Sequence, residues 1–213
     1  LSPAAVHVDA HLLVVEKPAG LLAVPGRGED KQDCLSARVQ AQWPDALIVH
    51  RLDMATSGLM VLARDAATQA ALGQAFARRE VFKRYVAVVD GLPAPDAPDA
   101  EGWCRIELPL IADWPRRPLQ KVDMAAGKPS ITRWRVMQRV DETSSRVELE
   151  PLTGRTHQLR VHLQAIGHPI LGDALYGGAA AGRADRLLLH ACALGFTHPA
   201  TGAALHFDSA VPF

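Results

Sequence analysis

Ile131-Thr132-Arg133-Trp134-Arg135-Val136-Met137-Gln138-Arg139-Val140 decides the fold, because it alternates. Arg133, Arg135 and Arg139 fall on one face of an extended chain, and Trp134, Val136 and Val140 on the other, the period-two pattern of a half-buried strand. Arg146–Leu149 follows a short polar break and reads as its hairpin partner. Upstream, Val81–Val89 is β-rich and ends at the turn signal Asp90-Gly91. Leu12–Val15, Ala46–Val49 and Leu59–Ala63 are short apolar runs, read as buried strands. Downstream, Leu187–Phe196 and Ala204–Phe207 flank the turn His198–Gly202 as another antiparallel pair. Two helices are expected. Asp65 caps one that runs to about Arg78. The other begins near Arg155 and ends before Gly167, with Leu159, Leu163 and Ile166 along one side. Strands outnumber helices and neighbours pair as hairpins. The expected fold class is α+β, a mixed, mostly antiparallel sheet flanked by helices and loops, with residues 1–213 forming a single domain.

The 213 residues carry 23 Lys+Arg against 23 Asp+Glu, with 48% apolar and 22% charged residues, which excludes a disordered chain. No apolar run approaches the roughly 18 residues of a membrane helix, and no secretory signal is visible at the N-terminus. Leu1 stands where a Met would start the chain, so a start residue or short leader is expected to have been removed. Cys34, Cys104 and Cys192 form no C-x-x-C, which argues against a disulfide framework or structural zinc and fits a cytoplasmic location. Zero net charge gives no global sign of nucleic acid, but local charge is uneven. Arg78–Arg84 holds four basic residues and one acid, and Asp113–Arg139 holds seven basic residues and two acids. The acidic, proline-rich Gly91–Glu101 reads as an exposed loop.

Three polar concentrations stand out. His50-Arg-Leu-Asp53-Met-Ala-Thr56-Ser57-Gly58 lies between two strands and is therefore a loop at a sheet end, where catalytic groups are held; the plainer reading is a turn capped by Asp53 and Thr56. Leu152-Thr-Gly-Arg155-Thr-His-Gln-Leu-Arg160-Val-His162 opens a helix, and a helix start with Arg155 attracts a carboxylate or phosphate; the plainer reading turns both arginines to water. Gly167-His-Pro-Ile-Leu-Gly-Asp173-Ala-Leu-Tyr176-Gly177 reads as a shaped loop serving structure. His50, Asp53, His157, His162, His168 and Asp173 supply metal-type donors, but His157 and His162 are five apart rather than the four that align ligands on a helix. No nucleophile elbow or phosphate loop is present. Tyr85, beside Lys83 and Arg84, could stack on a base, though a strand tyrosine usually serves packing.

Together these motifs resemble the RluA-type RNA pseudouridine synthases: Lys17-Pro-x-Gly-Leu21, His50-Arg-Leu-Asp-x-x-Thr-Ser-Gly58, Lys83-x-Tyr85, Leu152–His162 and Gly167–Gly177, in order over nearly the whole chain. Asp113-Trp-Pro-x-Arg-Pro-x-Gln-Lys-Val122 and the length resemble the short RluA subgroup, which has no S4 domain. The resemblance implies the pseudouridine synthase catalytic fold and isomerisation of uridine to pseudouridine in RNA, without cofactor or metal. It implies that Asp53 is the essential carboxylate, that Tyr85 stacks on the base and acts near its C5, and that Arg155 holds Asp53 ionised. Arg51 would stand beside the space left by the flipped nucleotide. With Arg51, the RNA-contact candidates are Lys83, Arg84, Arg133, Arg135 and Arg160.

Chemistry agrees with that assignment. Glycosidases need two carboxylates; here the leaving uracil is retained and rejoined through C5, so one carboxylate and a base-holding pocket suffice. A sheltered carboxylate stays charged at neutral pH only beside a cation. The buried glycosidic bond requires a flipped nucleotide, driven by phosphate contacts and RNA shape. The expected partner is 23S-type ribosomal RNA, a transfer RNA anticodon stem-loop, or both, acted on by a monomer with no membrane association. Two other readings are an inactive RNA-binding protein of the same fold, against which Asp53, Tyr85 and Arg155 are all present, and a metal-dependent hydrolase.

Overall fold

The computed structural model describes residues 3–213. Along the chain run β1 (Ala5–Val8), β2 (Leu12–Lys17), α1 (Leu35–Gln40), β3 (Leu47–Ile48), β4 (Ser57–Ala63), α2 (Ala66–Arg78), β5 (Phe82–Asp90) and β6 (Cys104–Glu107). These are followed by β7 (Leu110–Ala112), β8 (Gln120–Val122), β9 (Ile131–Asp141), β10 (Ser144–Pro151), α3 (Gln158–Ala165), β11 (Leu189–Thr197) and β12 (Ala204–Asp208). Two units divide them. Residues 3–83 and 190–212 form the first, and 84–189 with Phe213 the second. The strands are mostly antiparallel, so the fold is α+β as expected.

In the first unit β2 pairs with β1 and β4, β3 pairs with β4, and β12 pairs with β11, all antiparallel. β4 meets β11 in parallel, with Ser57 opposite His190 and Gly58 opposite Ala191. Every residue of β4 is buried, as its unbroken apolar run requires of a central strand. Leu12, Val14, Leu59 and Val61 share a core with Leu72 of α2 and with Leu194 and Phe196 of β11. α2 starts where its cap predicts: the Asp65 carboxylate accepts from the Thr68 amide at 2.7 Å, a contact worth about 1 kcal/mol.

In the second unit β10 lies between β5 and β9, and β6 pairs with the far side of β9. β7 and β8 form a separate two-stranded hairpin. The strand that decides the fold departs from strict alternation at two places: Val140 is passed over between Arg139 and Asp141, and Met137 between Val136 and Gln138. Val147 lies opposite Val136 and Arg146 opposite Gln138, leaving Met137 without an opposite residue. This extra residue reverses the alternation beyond it. Arg133 and Arg135 share a face as expected, but Arg139 moves to the face of Trp134 and Val136.

The second expected helix also starts later, at Gln158, because His157 adopts a left-handed conformation with φ of 54° and the preceding residues form a turn.

Gly58 fixes the approach of β4 to β11. Its φ is +119°, and a Cβ there would stand 2.3 Å from the Ala191 carbonyl oxygen. Gly58→Ala therefore strains the backbone and forces the two strands apart. It should cost on the order of 3 kcal/mol in urea unfolding; an unchanged midpoint and slope would show that β4 and β11 can separate freely.

Candidate active site

Asp53 stands half-buried on the loop before β4, with Arg51 exposed beside it. The backbone of this loop is fixed from below. The Met54 carbonyl accepts from the Gly20 amide at 2.8 Å and from Lys17 Nζ at 3.0 Å. Lys17, only 1% exposed, also donates to the carbonyls of Pro18 and Leu21, each at 2.8 Å. A buried ammonium is tolerable only when its donors meet acceptors, so the Lys17–Leu21 turn and the Asp53 loop are bound into one piece. Within the loop the Thr56 amide donates to the Asp53 carbonyl at 3.1 Å.

Behind the loop runs a second polar chain. Ser209 donates to Glu16 Oε1, so it accepts from His190 Nε2 at 2.9 Å; His190 Nδ1 then accepts from the Ser57 hydroxyl at 2.8 Å. His50 is held neutral for a similar reason. Its Nε2 accepts from the Val61 amide at 3.1 Å and its ring stacks on Phe76 at 4.4 Å. Burial, and secondarily the Lys83 ammonium, lower its pKa to about 3.

In the second unit the Arg155 turn is built around one amide side chain. Gln158 Oε1 accepts from the Thr153 hydroxyl at 2.7 Å and the Arg155 amide at 3.0 Å. Its Nε2 donates to the Ile131 carbonyl and to Thr132 Oγ1, both at 3.0 Å. Thr132 in turn donates to His162 Nδ1 at 2.9 Å, and His162 Nε2 donates to the Leu108 carbonyl at 2.9 Å. Burial lowers the His162 pKa, in keeping with a neutral ring. The Arg155 side chain is exposed, its Nε 3.4 Å from the Pro129 carbonyl.

Register places the other candidates. Tyr85 lies opposite Leu149 and Leu149 opposite Trp134, so Tyr85 shares the face on which Thr132 meets α3. Arg84, Arg133 and Arg135 lie on the opposite face, together. Arg84 and Arg135 flank Glu148 at 2.8 and 2.6 Å, and Arg133 meets Glu150 at 3.4 Å and Asp99 at 3.1 Å. All three guanidiniums lie over the Trp103 ring, 4.6–4.9 Å from its centre. Burial alone would raise the Glu148 carboxyl, but Arg84 and Arg135 outweigh it and hold it below the usual range. Arg160 is buried, with Nε and Nη2 at 2.8 and 2.7 Å from the two oxygens of Asp173. A desolvated guanidinium clamped this way braces α3 against the Gly167–Gly177 loop.

The metal-type donors other than Asp53 have partners of their own: His50 and His162 as described, His157 with Tyr176 at 2.6 Å, His168 with the Asp90 carbonyl at 2.8 Å, and Asp173 with Arg160. Among the described residues no three His, Cys, Asp or Glu side chains converge as a metal group. Sequence reasoning missed the chain Glu16–Ser209–His190–Ser57 and the organising role of Gln158. A polar residue inside an apolar strand, such as His190 in Leu187–Phe196, was the available signal for the first.

The fold and these motifs define an RNA pseudouridylate synthase. The RNA pseudouridylate synthase family model matches residues 11–165, and the chain belongs to that family. It is 50% identical over 206 residues to the dual-specificity RNA pseudouridine synthase RluA of Escherichia coli (strain K12), covering 96% of this chain and 91% of that protein. The RluA of Yersinia pestis is likewise 50% identical, over 96% of this chain and 97% of its own. Among solved structures, human RNA Pseudouridylate Synthase Domain Containing 1 is 29% identical with a TM-score of 0.79, covering all of this chain and 84% of that one. The chain is thus an isomerase of this class, which favours the synthase over an inactive RNA-binding relative. Among the described residues no helix is long and apolar enough to cross a membrane.

The buried histidines carry a pH signature. His50 and His162 are held below their ordinary value of 6.5, so their neutral forms favour the fold above that pH. This contribution is lost as pH falls from 6.5 toward the folded pKa of His50, about 3. Urea titrations from pH 7 to 4.5 should show a falling stability whose slope is shallower in His50→Gln, an uncharged acceptor. Identical slopes would remove His50 from this role.

Proposed function

We propose that this protein isomerises specific uridines to pseudouridine in structured RNA, in large-subunit ribosomal RNA, a transfer RNA anticodon stem-loop or both. The observation that carries the reading is the Asp53 loop: the carboxylate of the His50–Gly58 motif, within the residues the family matches, stands on backbone locked by Lys17 and Gly20 through the Met54 carbonyl. Preorganised groups are what a reaction with little room for error needs. The dual specificity named for its relatives supports two RNA targets here.

In this reading the target uridine is flipped out of its stack. Asp53 acts at the ribose while the N1–C1′ bond breaks; the uracil turns in place, its C5 bonds to C1′, the C5 proton leaves to solvent, and N1 takes up a proton in its place. Tyr85 stacks on the base and serves the proton transfer near C5. Arg155 holds Asp53 ionised, and Arg51 and Lys83 meet the RNA. Arg84, Arg133, Arg135 and Arg160 belong to the internal framework, since each is paired with a carboxylate. The two units work as one catalytic domain, in a monomeric, cytoplasmic enzyme that needs no cofactor.

Tritium release from [5-³H]uridine-labelled ribosomal and transfer RNA, with EDTA present, is the direct test. Asp53→Asn should lose turnover by at least about a thousandfold while RNA binding persists, the scale set by losing a group the transition state requires. Turnover retained in that variant would remove Asp53 from its role. Arg155→Ala should lower kcat by at least about tenfold with RNA binding kept, because the carboxylate loses its cation; an unchanged kcat would count against the pair.

A further inference from the structure

The motif Asp113–Val122 is not used by the chemistry above, yet it is the most exposed aromatic and cationic feature of the second unit. It forms the tip and second strand of the β7–β8 hairpin. The turn closes on itself: the Asp113 amide donates to the Leu119 carbonyl at 2.9 Å, and the Arg116 amide to the Asp113 carbonyl at 3.0 Å. The buried Asp113 carboxylate takes Arg116 Nε at 2.7 Å. Trp114, held on this turn, is 65% exposed. The Arg117 guanidinium lies on its ring, 3.2 Å from the centre.

Arg117 differs from the arginines of the β5–β10–β9 face. Among the described residues those are matched by carboxylates, whereas Arg117 has no hydrogen bond or ion pair. Stacking covers one flat side of the guanidinium and leaves its N–H groups without a protein partner among the described residues, and such a fork suits two phosphate oxygens. Lys121 is exposed on the same segment, 3.7 Å from the Asp123 carboxylate, and Lys128 is exposed beyond it, beside Leu110 of β7. Trp114 buries little of its surface, and its ring carries the Arg117 guanidinium.

The hairpin is also tied to the Arg155 turn. Leu110, Leu119 and Val122 pack with Val161 of α3 and with Tyr176. The Gln120 amide donates to the Tyr176 hydroxyl at 2.8 Å, and that hydroxyl donates to His157 Nδ1 at 2.6 Å, two residues from Arg155. The hairpin therefore stands on the α3 side of the sheet, the side that carries Tyr85.

We propose that the β7–β8 hairpin is an RNA-backbone clamp, in which Arg117, held flat by Trp114, binds a phosphodiester of the structured RNA that carries the target uridine. This rests on the synthase reading. The ligand class is the phosphodiester rather than a stacked base, because the guanidinium face is already covered by Trp114 and only its N–H groups remain to bind. Trp114 is a positioning residue, and the clamp supplies binding rather than chemistry.

The test uses the full chain, with unmodified transfer RNA transcript and a large-subunit ribosomal RNA fragment as probes. Arg117→Gln, Arg117→Lys, Trp114→Ala and the Arg117→Gln/Trp114→Ala double variant are compared with Arg105→Gln, an exposed arginine on β6 paired with Glu107. Binding is measured in the Asp53→Asn background across salt, and turnover in the parent. Arg117→Gln should raise KM and Kd about tenfold with kcat within about twofold, and lower the slope of log K against log salt by about one. Arg117→Lys should keep the salt slope and lose part of the affinity, since it keeps the charge without the planar fork. Trp114→Ala should weaken binding less, and the double variant should be no worse than Arg117→Gln alone. Unchanged KM and salt slope in Arg117→Gln, or an equal loss in Arg105→Gln, overturns the clamp while leaving the synthase reading standing. RNA binding left intact, with self-association lost instead, also overturns it, by making the hairpin a contact between copies of this chain. No tritium release by the parent from either RNA overturns the synthase reading and the clamp with it.

Discussion

The Met54 carbonyl oxygen, one bond past the loop's carboxylate residue, accepts from both Lys17 Nζ and the Gly20 amide. Much of the first unit's polar architecture serves that convergence. Lys17 closes a strand whose first four residues are apolar, so its ammonium is carried into the interior by β2 and must be met there by carbonyls. Gly20, with φ of +81°, turns the chain back so that its amide points at the same oxygen. A buried charge whose three donors all reach backbone carbonyls cannot shift without leaving one of them unmet, at a cost of several kcal/mol. The position of the Asp53 loop is thus set by an electrostatic requirement rather than by packing alone.

The second unit reaches the same end without a buried lysine. Gln158 has two amide hydrogens and two accepting sites on its oxygen, and all four are used. That fixes which way the amide faces, which fixes the Thr153 hydroxyl, the Thr132 hydroxyl and the tautomer of His162 in turn. Fully satisfied polar networks specify one geometry because any alternative leaves a buried group unpaired. The His157 backbone, at positive φ, is the strain such a network can hold in place. Rigid backbone at Asp53 and rigid backbone at Arg155 come from different chemistry applied to the same need.

Local signals in the sequence carried β2, β4, α2, the β9–β10 hairpin and the β11–β12 pair, because each rests on periodicity or a cap that acts within a few residues. Asp65 and Thr68 are three apart, and their contact needs no tertiary context. Arg139 was misplaced because a bulge is decided by the partner strand: nothing in Arg135–Arg139 alone marks Met137 as the residue to be passed over. Arg160 was read as an RNA contact because its partner, Asp173, lies in another loop and pairs with it only once α3 has packed. The same applies to Arg84, Arg133 and Arg135, whose neutralising carboxylates alternate along β10 and are matched to them by register. The motifs of the catalytic loop were legible because their spacing is itself the signal; the relay from Glu16 to Ser57 was not, since its members are scattered from one end of the chain to the other.

Equal numbers of acids and bases would weaken an RNA enzyme if the charges were evenly mixed, because binding to phosphates depends on uncompensated cations. Register separates them instead. On the face away from Tyr85, Glu148 and Glu150, with Asp99 from the loop before β6, pair with Arg84, Arg133 and Arg135, whose guanidiniums lie over Trp103, so much of the positive charge of that face is met internally. Internal pairing of this kind removes most of the general pull that would hold the enzyme on any polyanion. What remains depends on a few cations outside the network and on the shape of the RNA that can reach them. In the proposed mechanism, a protein with little non-specific attraction draws the energy of flipping a nucleotide from contacts that only a correctly folded RNA completes. The neutral composition is therefore compatible with the activity and pushes it toward selectivity by shape.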